Sequence, residues 1–185
     1  DALRSGDRDA FWGTLEFFPE EGKYHYDGHR KCQICWHPKE TIAHDKICAV
    51  CGKKVTVGVM HRVQELADRE ETVRDALPAD RRRRFQSLVP LPEMLSELYG
   101  VGPNSKRVQR EYLNLLGLLG SELSILLDLP LEEIAQKGSP MLAEGIRRMR
   151  ASQVHVQSGY DGEYGVIKVF TKEELEKTDG QLTLF

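Results

Sequence analysis

Four cysteines constrain this chain more than any other feature. Cys32, Cys35, Cys48 and Cys51 form two C-x2-C pairs separated by twelve residues. Two residues between cysteines let each pair curl around one cation, and four thiolates complete a tetrahedron at about 2.3 Å from a zinc ion. Gly52 follows the second pair and suits the turn that aims backbone amides at sulfur. Lys53 and Lys54 come next and offset the negative charge of four thiolates. The spacing therefore predicts one structural zinc with Cys32, Cys35, Cys48 and Cys51 as ligands. Rubredoxin-like iron is the chemical rival, and it would make the chain an electron carrier. His37 and His44 lie in the intervening loop, and either can stand in for a cysteine. A closed set of four protein ligands leaves no position for water, so no catalytic residue is assigned here.

Charge is unevenly spread. The net charge is −3, but Gly22 to Arg62 holds eight Lys or Arg (Lys23, Arg30, Lys31, Lys39, Lys46, Lys53, Lys54, Arg62) against Asp27, Glu40 and Asp45, about +5. A basic patch on an acidic protein suits a polyanion bound through one face. Within it, GKYHYDGHRK gathers aromatic and cationic side chains. Tyr24, His25 and Tyr26 offer faces for base stacking, and Lys23, His29, Arg30, Lys31, Lys53 and Lys54 complete the expected DNA contacts. The same string permits other readings. The tyrosines can instead pack one face of the zinc module, and His25, Asp27 and His29 can be read as a second acid–base or metal cluster.

The fold class expected is α+β: a small four-cysteine zinc-finger module with short strands, plus a mainly helical domain. The module covers residues 10–62, and a helical domain with a terminal hairpin covers 63–170. A flexible tail, 171–185, follows. Residues 11–18 and 55–60 read as strands, and a helix is expected from His61 to Arg69 with Val63, Leu66 and Ala67 on one face. The glycine and proline breaks between Pro92 and Arg150 mark a helical block. Leu98–Lys106 resembles a helix-hairpin-helix turn, or equally a helix C-cap followed by a new helix. The Arg81–Arg84 run and Arg147, Arg148 and Arg150 read as solvated helix ends or phosphate contacts. GYDGEYG shapes a tight turn with a polar and aromatic tip.

No apolar run reaches the ~20 residues of a membrane helix. The absence of a secretory signal points to a reducing, cytoplasmic setting, where a metal site is favoured over disulfides. The opening residues, DALRSGDRDAFWG, read as the interior of a longer sequence. The last five, Gln181, Leu182, Thr183, Leu184 and Phe185, are similar to the pentapeptide by which bacterial polymerases and repair proteins dock on the sliding clamp. Leu184 and Phe185 would fill an apolar pocket while Gln181 contacts its rim. A final strand packed on the chain's own core is the other reading.

Taken together, EFFPEEGKYHYDGHRKC, the paired CxxC, VTVGVMHRVQELADR, SLVPLPEML, AEGIRRMR and GYDGEYGVIKVF resemble the endonuclease Q family, from about Gly13 to Phe170. That resemblance implies a DNA repair nuclease that incises 5′ of deaminated bases (uracil, hypoxanthine) and of abasic sites. Its catalytic metals belong to a polymerase-and-histidinol-phosphatase (PHP) domain, and nothing in this sequence matches one. The chain then corresponds to the zinc-bearing and helical C-terminal part, with duplex DNA and a bacterial sliding clamp as partners and a nucleoid-associated location. A zinc-ribbon adaptor that bridges proteins without touching DNA is the alternative.

Overall fold

The computed structural model describes residues 1–7, 10, 11, 13–68 and 84–176. The Arg81–Arg83 part of the arginine run and the Gln181–Phe185 tail lie outside the described residues. The fold is α+β, as the sequence indicates, and it divides into two compact units. The first comprises Asp1–Gln86 with Val156–Val166, and the second Ser87–His155 with Ile167–Phe185.

The first unit opens with a short helix, α1 (Ala2–Ser5), and β1 (Gly13–Glu16), which pairs with β4 (Arg84–Ser87). Its centre is an antiparallel pair, β2 (Asp27–His29) and β3 (Ile34–Trp36), in the register Asp27↔Trp36, Gly28↔Cys35, His29↔Ile34. Helix α2 (Pro38–Ala43) starts in a capping box, in which His37 Nδ1 accepts from Lys39 N–H and Glu40 accepts from His37 N–H. Helix α3 (Val59–Leu66) follows.

The strand expected over 55–60 does not form. Lys54 and Thr56 make only isolated bridges, and α3 begins at Val59 with Gly58 as its N-cap. The cause is a long-range contact: the Gly58 N–H donates to the Asp27 carboxylate at 2.7 Å, so this segment caps a helix instead of joining a ladder. The face of α3 turned inward carries His61, while Val63 and Leu66 are exposed.

The second unit is helical. It contains α4 (Leu91–Tyr99), α5 (Lys106–Leu119), α6 (Glu122–Leu127), α7 (Leu131–Lys137) and α8 (Pro140–Arg150). Ser105, Ser121 and Ser139 cap three of these helices with their hydroxyls. Leu91, Met94, Leu95, Val108, Leu115, Ile125, Leu126, Ile134, Leu142, Ile146 and Met149 are buried together. Each such side chain removed from water contributes about 1.5–3 kcal/mol. The turn expected between Leu98 and Lys106 is a helix C-cap at Gly100 followed by a new N-cap at Ser105.

The arginines near the end of α8 serve this unit. Arg150 donates to the carbonyls of Ile125, Leu126 and Leu129, the last turn of α6 and its exit. Arg148 ion-pairs with Glu144 and Glu174, both at 2.9 Å, and lies over the Phe170 ring. Arg147 pairs with Glu144. All three guanidinium groups are committed to protein partners, so the phosphate-tracking alternative has no support in this arrangement.

Strands β5 (His155–Gln157) and β6 (Val166–Lys168) form a two-stranded sheet. The turn between them folds with the first unit, although the sequence groups the hairpin with the helices. Its anchors explain why. Gly159 and Gly165 N–H donate to the Glu20 and Glu21 carbonyls, and the Gly159 carbonyl accepts from Tyr26 N–H. None of the described helices is long and apolar enough to cross a membrane.

Candidate metal centre and nucleic-acid face

The two units differ in what holds each of them together. The apolar core is almost wholly in the second unit; among the described residues of the first, only Pro38, Cys48 and Val55 are buried apolar side chains. The other buried side chains there are polar: His25, Asp27, Thr41 and His61. So little apolar burial does not hold a unit of this size, and such units rely on a metal or on cross-links.

A candidate metal site lies in that unit. His29, Cys32, Cys48 and Cys51 bring one ligand atom each within 4.8 Å of one another. The four cysteines are free. The second pair is built as the sequence suggests: Gly52 turns at φ 69°, its N–H donates to the Cys48 carbonyl, and Cys48 N–H donates to the Lys53 carbonyl. Burial alone would raise the Cys48 thiol. The Cys51 and Val50 amides, with the Cys51 and His29 side chains, outweigh it and lower the value to about 6. Cys32 moves the other way, to about 11, through burial and its hydrogen bonds with Cys51 and Cys48.

The fourth member is His29, not Cys35. His29 Nδ1 lies 3.5 Å from Cys51 Sγ. Cys35 sits opposite Gly28 in the β2–β3 ladder, where cross-strand partners share a face and successive residues alternate. The pleat therefore sends Cys35 and His29 to opposite faces. Cys35 keeps an exposed surface, and partial desolvation of its sulfur, with the Glu40 and Asp27 charges, raises its thiol. His37 and His44, the stand-ins expected from the sequence, are otherwise engaged. His37 caps α2, and His44 stacks on Trp36 with ring centres 4.5 Å apart. A signal for His29 was present, because His29-Arg-Lys-Cys32 repeats the two-residue spacing of the cysteine pairs.

Asp27 joins no cluster with His25 and His29. It is fully buried, accepts from Gly58 N–H, and meets His61 Nδ1 at 2.6 Å. His61 Nε2 lies 3.6 Å from Glu65. Asp161 is a second fixed carboxylate. It accepts from Arg30 N–H at 2.7 Å and from the Thr56 hydroxyl, and these bonds keep it ionised below the usual carboxylate range despite partial burial, which acts to raise it. Tyr160 packs on Gly28, where a Cβ would come within 2.4 Å of its ring. Thr56, His61, Tyr160 and Asp161 thus position the metal loop, and the sequence flagged only the GYDGEYG tip.

The expected DNA contacts separate by exposure. Lys23, Tyr24, Arg30, Lys31, Lys53 and Lys54 are exposed. His25 is buried and packs at a tilt against half-buried Tyr26, which meets His37 edge-on. The two tyrosines therefore differ in surroundings: Tyr24 is open to solvent, and Tyr26 is packed within the module.

Residues 90–153 match the family model described as the MJ0043 C-terminal domain. Over 166 residues the chain is 30% identical to the uncharacterized protein MJ0043 of Methanocaldococcus jannaschii, covering 90% of this chain and 20% of that protein. It is also 30% identical to the uncharacterized protein YqxK of Bacillus subtilis, covering 90% of this chain and 38% of that one. Among solved structures, it is similar to the lesion-specific endonuclease PfuEndoQ from Pyrococcus furiosus, with a TM-score of 0.70 and 29% identity across 88% of this chain and 40% of that one. A complex of endonuclease Q with a 27-mer duplex substrate bearing an abasic lesion at its active site gives 0.67 and 30%, over 88% of this chain and 39% of that one. The chain thus spans well under half the length of each of these proteins. Both units fall within the similarity, and these matches together support an endonuclease Q-like relationship.

Proposed function

We propose that this chain is the DNA-gripping part of an endonuclease Q-like repair nuclease. In this reading the whole protein incises 5′ of deaminated bases and abasic sites, and the first unit holds the duplex near the lesion. The observation that carries the reading is the fold match at 29–30% identity, one partner of which is a nuclease bound to damaged duplex. The six exposed cationic and aromatic residues around the metal loop support it through their chemistry.

The metal in this reading is zinc, held by His29, Cys32, Cys48 and Cys51. The donors fit: with Zn–N of about 2.0–2.1 Å and Zn–S of about 2.3 Å, a tetrahedral N···S edge is about 3.6 Å. The His29–Cys51 separation is 3.5 Å. These four residues would hold zinc, which would supply a structural cross-link to a unit with almost no apolar core and leave no open position for water. The protein's own groups then do the work. Asp161 fixes the Arg30 backbone, Asp27 fixes α3, and the outward cations meet phosphate. A lesion with weakened pairing is cheaper to unstack, which favours damaged sites. Gln181–Phe185 docks on a bacterial sliding clamp and raises the local concentration of the nuclease on DNA.

The test is a mobility shift of labelled duplex by the zinc-loaded chain at about 50 mM salt. A shift that fades at higher salt is expected, and no shift at that salt removes the reading.

A further inference from the structure

The turn between β5 and β6 contributes a residue outside the basic segment. Tyr164 is 73% exposed, the most solvent-accessible aromatic among the described residues, and Tyr24 is 46% exposed. The ammonium of Lys23 lies 5.6 Å from the centre of each ring, so two tyrosines about 140 positions apart in sequence flank one cation. Gly162, at the tip, faces the Tyr24 hydroxyl and the Arg30 guanidinium, the positions where a Cβ would find them at 3.7 and 3.8 Å.

This surface is held firmly from beneath. Gly162 N–H donates to the Lys23 carbonyl at 2.9 Å, Tyr160 and Glu163 exchange backbone hydrogen bonds, and Asp161 is bonded to Arg30 N–H and Thr56. Exposed aromatic faces beside cations are the elements that bind unpaired nucleotides: the ring stacks on a base, and the cations meet the flanking phosphates.

We propose that Tyr164 and Tyr24, with Lys23 and Arg30 between and beside them, form a stacking platform for an unpaired base in duplex DNA. The inference rests on the DNA-gripping reading above and adds to it a specific ligand, an unstacked nucleobase with its adjacent phosphates. Tyr164 supplies the ring face, and Tyr24 the second. Lys23 moves from between the rings to a phosphate.

The test measures binding of the zinc-loaded chain to two duplexes by fluorescence anisotropy. One is fully paired, and the other carries a single base opposite an abasic site. Tyr164→Ala should weaken binding to the second by about 5- to 150-fold, the loss of one stacked base, and weaken binding to the first far less. Its salt dependence should match wild type, because stacking releases no counterions. Tyr164→Phe should bind as wild type, showing that the ring and not the hydroxyl acts. Wild-type affinity of Tyr164→Ala for the unpaired duplex overturns the platform and leaves DNA binding intact. An equal loss on both duplexes, or an altered salt slope, also overturns it. If the wild-type chain binds neither duplex, the function reading fails and the platform with it.

Discussion

Asp27 and His61, thirty-four residues apart, meet at 2.6 Å with both side chains almost wholly excluded from solvent. The same carboxylate accepts from Gly58 N–H, so one side chain both starts α3 and ties it to β2. Removing it orphans two buried polar groups, each costing about 1–3 kcal/mol. Asp27→Ala should therefore lower the urea midpoint of the first unit markedly, with the second unit unaffected. An unchanged midpoint would show that the pair is dispensable.

The ligand set is directly testable. Cys35→Ser should retain one zinc per chain after purification, whereas His29→Ala and Cys51→Ser should lose it and, with it, the folded first unit. Metal analysis with circular dichroism reads both effects. Loss of zinc from Cys35→Ser together with retention in His29→Ala would restore the four-cysteine site.

Arg148 bridges Glu144 and Glu174, and each carboxyl is lowered from 4.5 to about 2. For Glu144 the Arg147 and Arg148 hydrogen bonds are responsible, and for Glu174 the Arg148 and Thr171 ones. A carboxyl lowered on folding contributes stability that is fully present above its unfolded value and lost as pH falls through the folded one. The stabilising effect of Arg148 should thus be constant above about pH 5 and fade between about 4.5 and 2. Amide exchange at Ile146 in wild type and Arg148→Met should converge over that window. Parallel curves throughout would contradict the assignment.

Gln181–Phe185 is the proposed clamp-docking peptide. Deleting these five residues should abolish binding to a bacterial sliding clamp by surface plasmon resonance while leaving duplex binding unchanged. Retained clamp binding would reject this role for the tail.

The sequence revealed the elements whose signals are local. C-x2-C spacing located the metal loop, Gly52 its turn, and the spacing of apolar residues the helical unit. What it concealed depends on long-range placement. Cys35 falls in the expected motif, yet pleat alternation turns it from the cluster, while His29, three residues before Cys32, turns toward it. Val55–Met60 has strand composition, but Asp27 takes the Gly58 amide and makes the segment a helix start. Tyr160 and Asp161 reach the metal loop across more than a hundred residues, a contact no local pattern encodes. The family resemblance was legible because its strings extend across both units.

In the proposed function the first unit grips DNA through phosphates. The most direct measurement is the slope of log K against log salt for a duplex carrying an abasic site. Its wild-type value should be negative, about −0.9 for each phosphate neutralised. Lys31→Ala should weaken binding and make the slope shallower by about 1. A flat wild-type slope, or one that Lys31→Ala, Arg30→Ala and Lys53→Ala all leave unchanged, would rule out phosphate contact through this face.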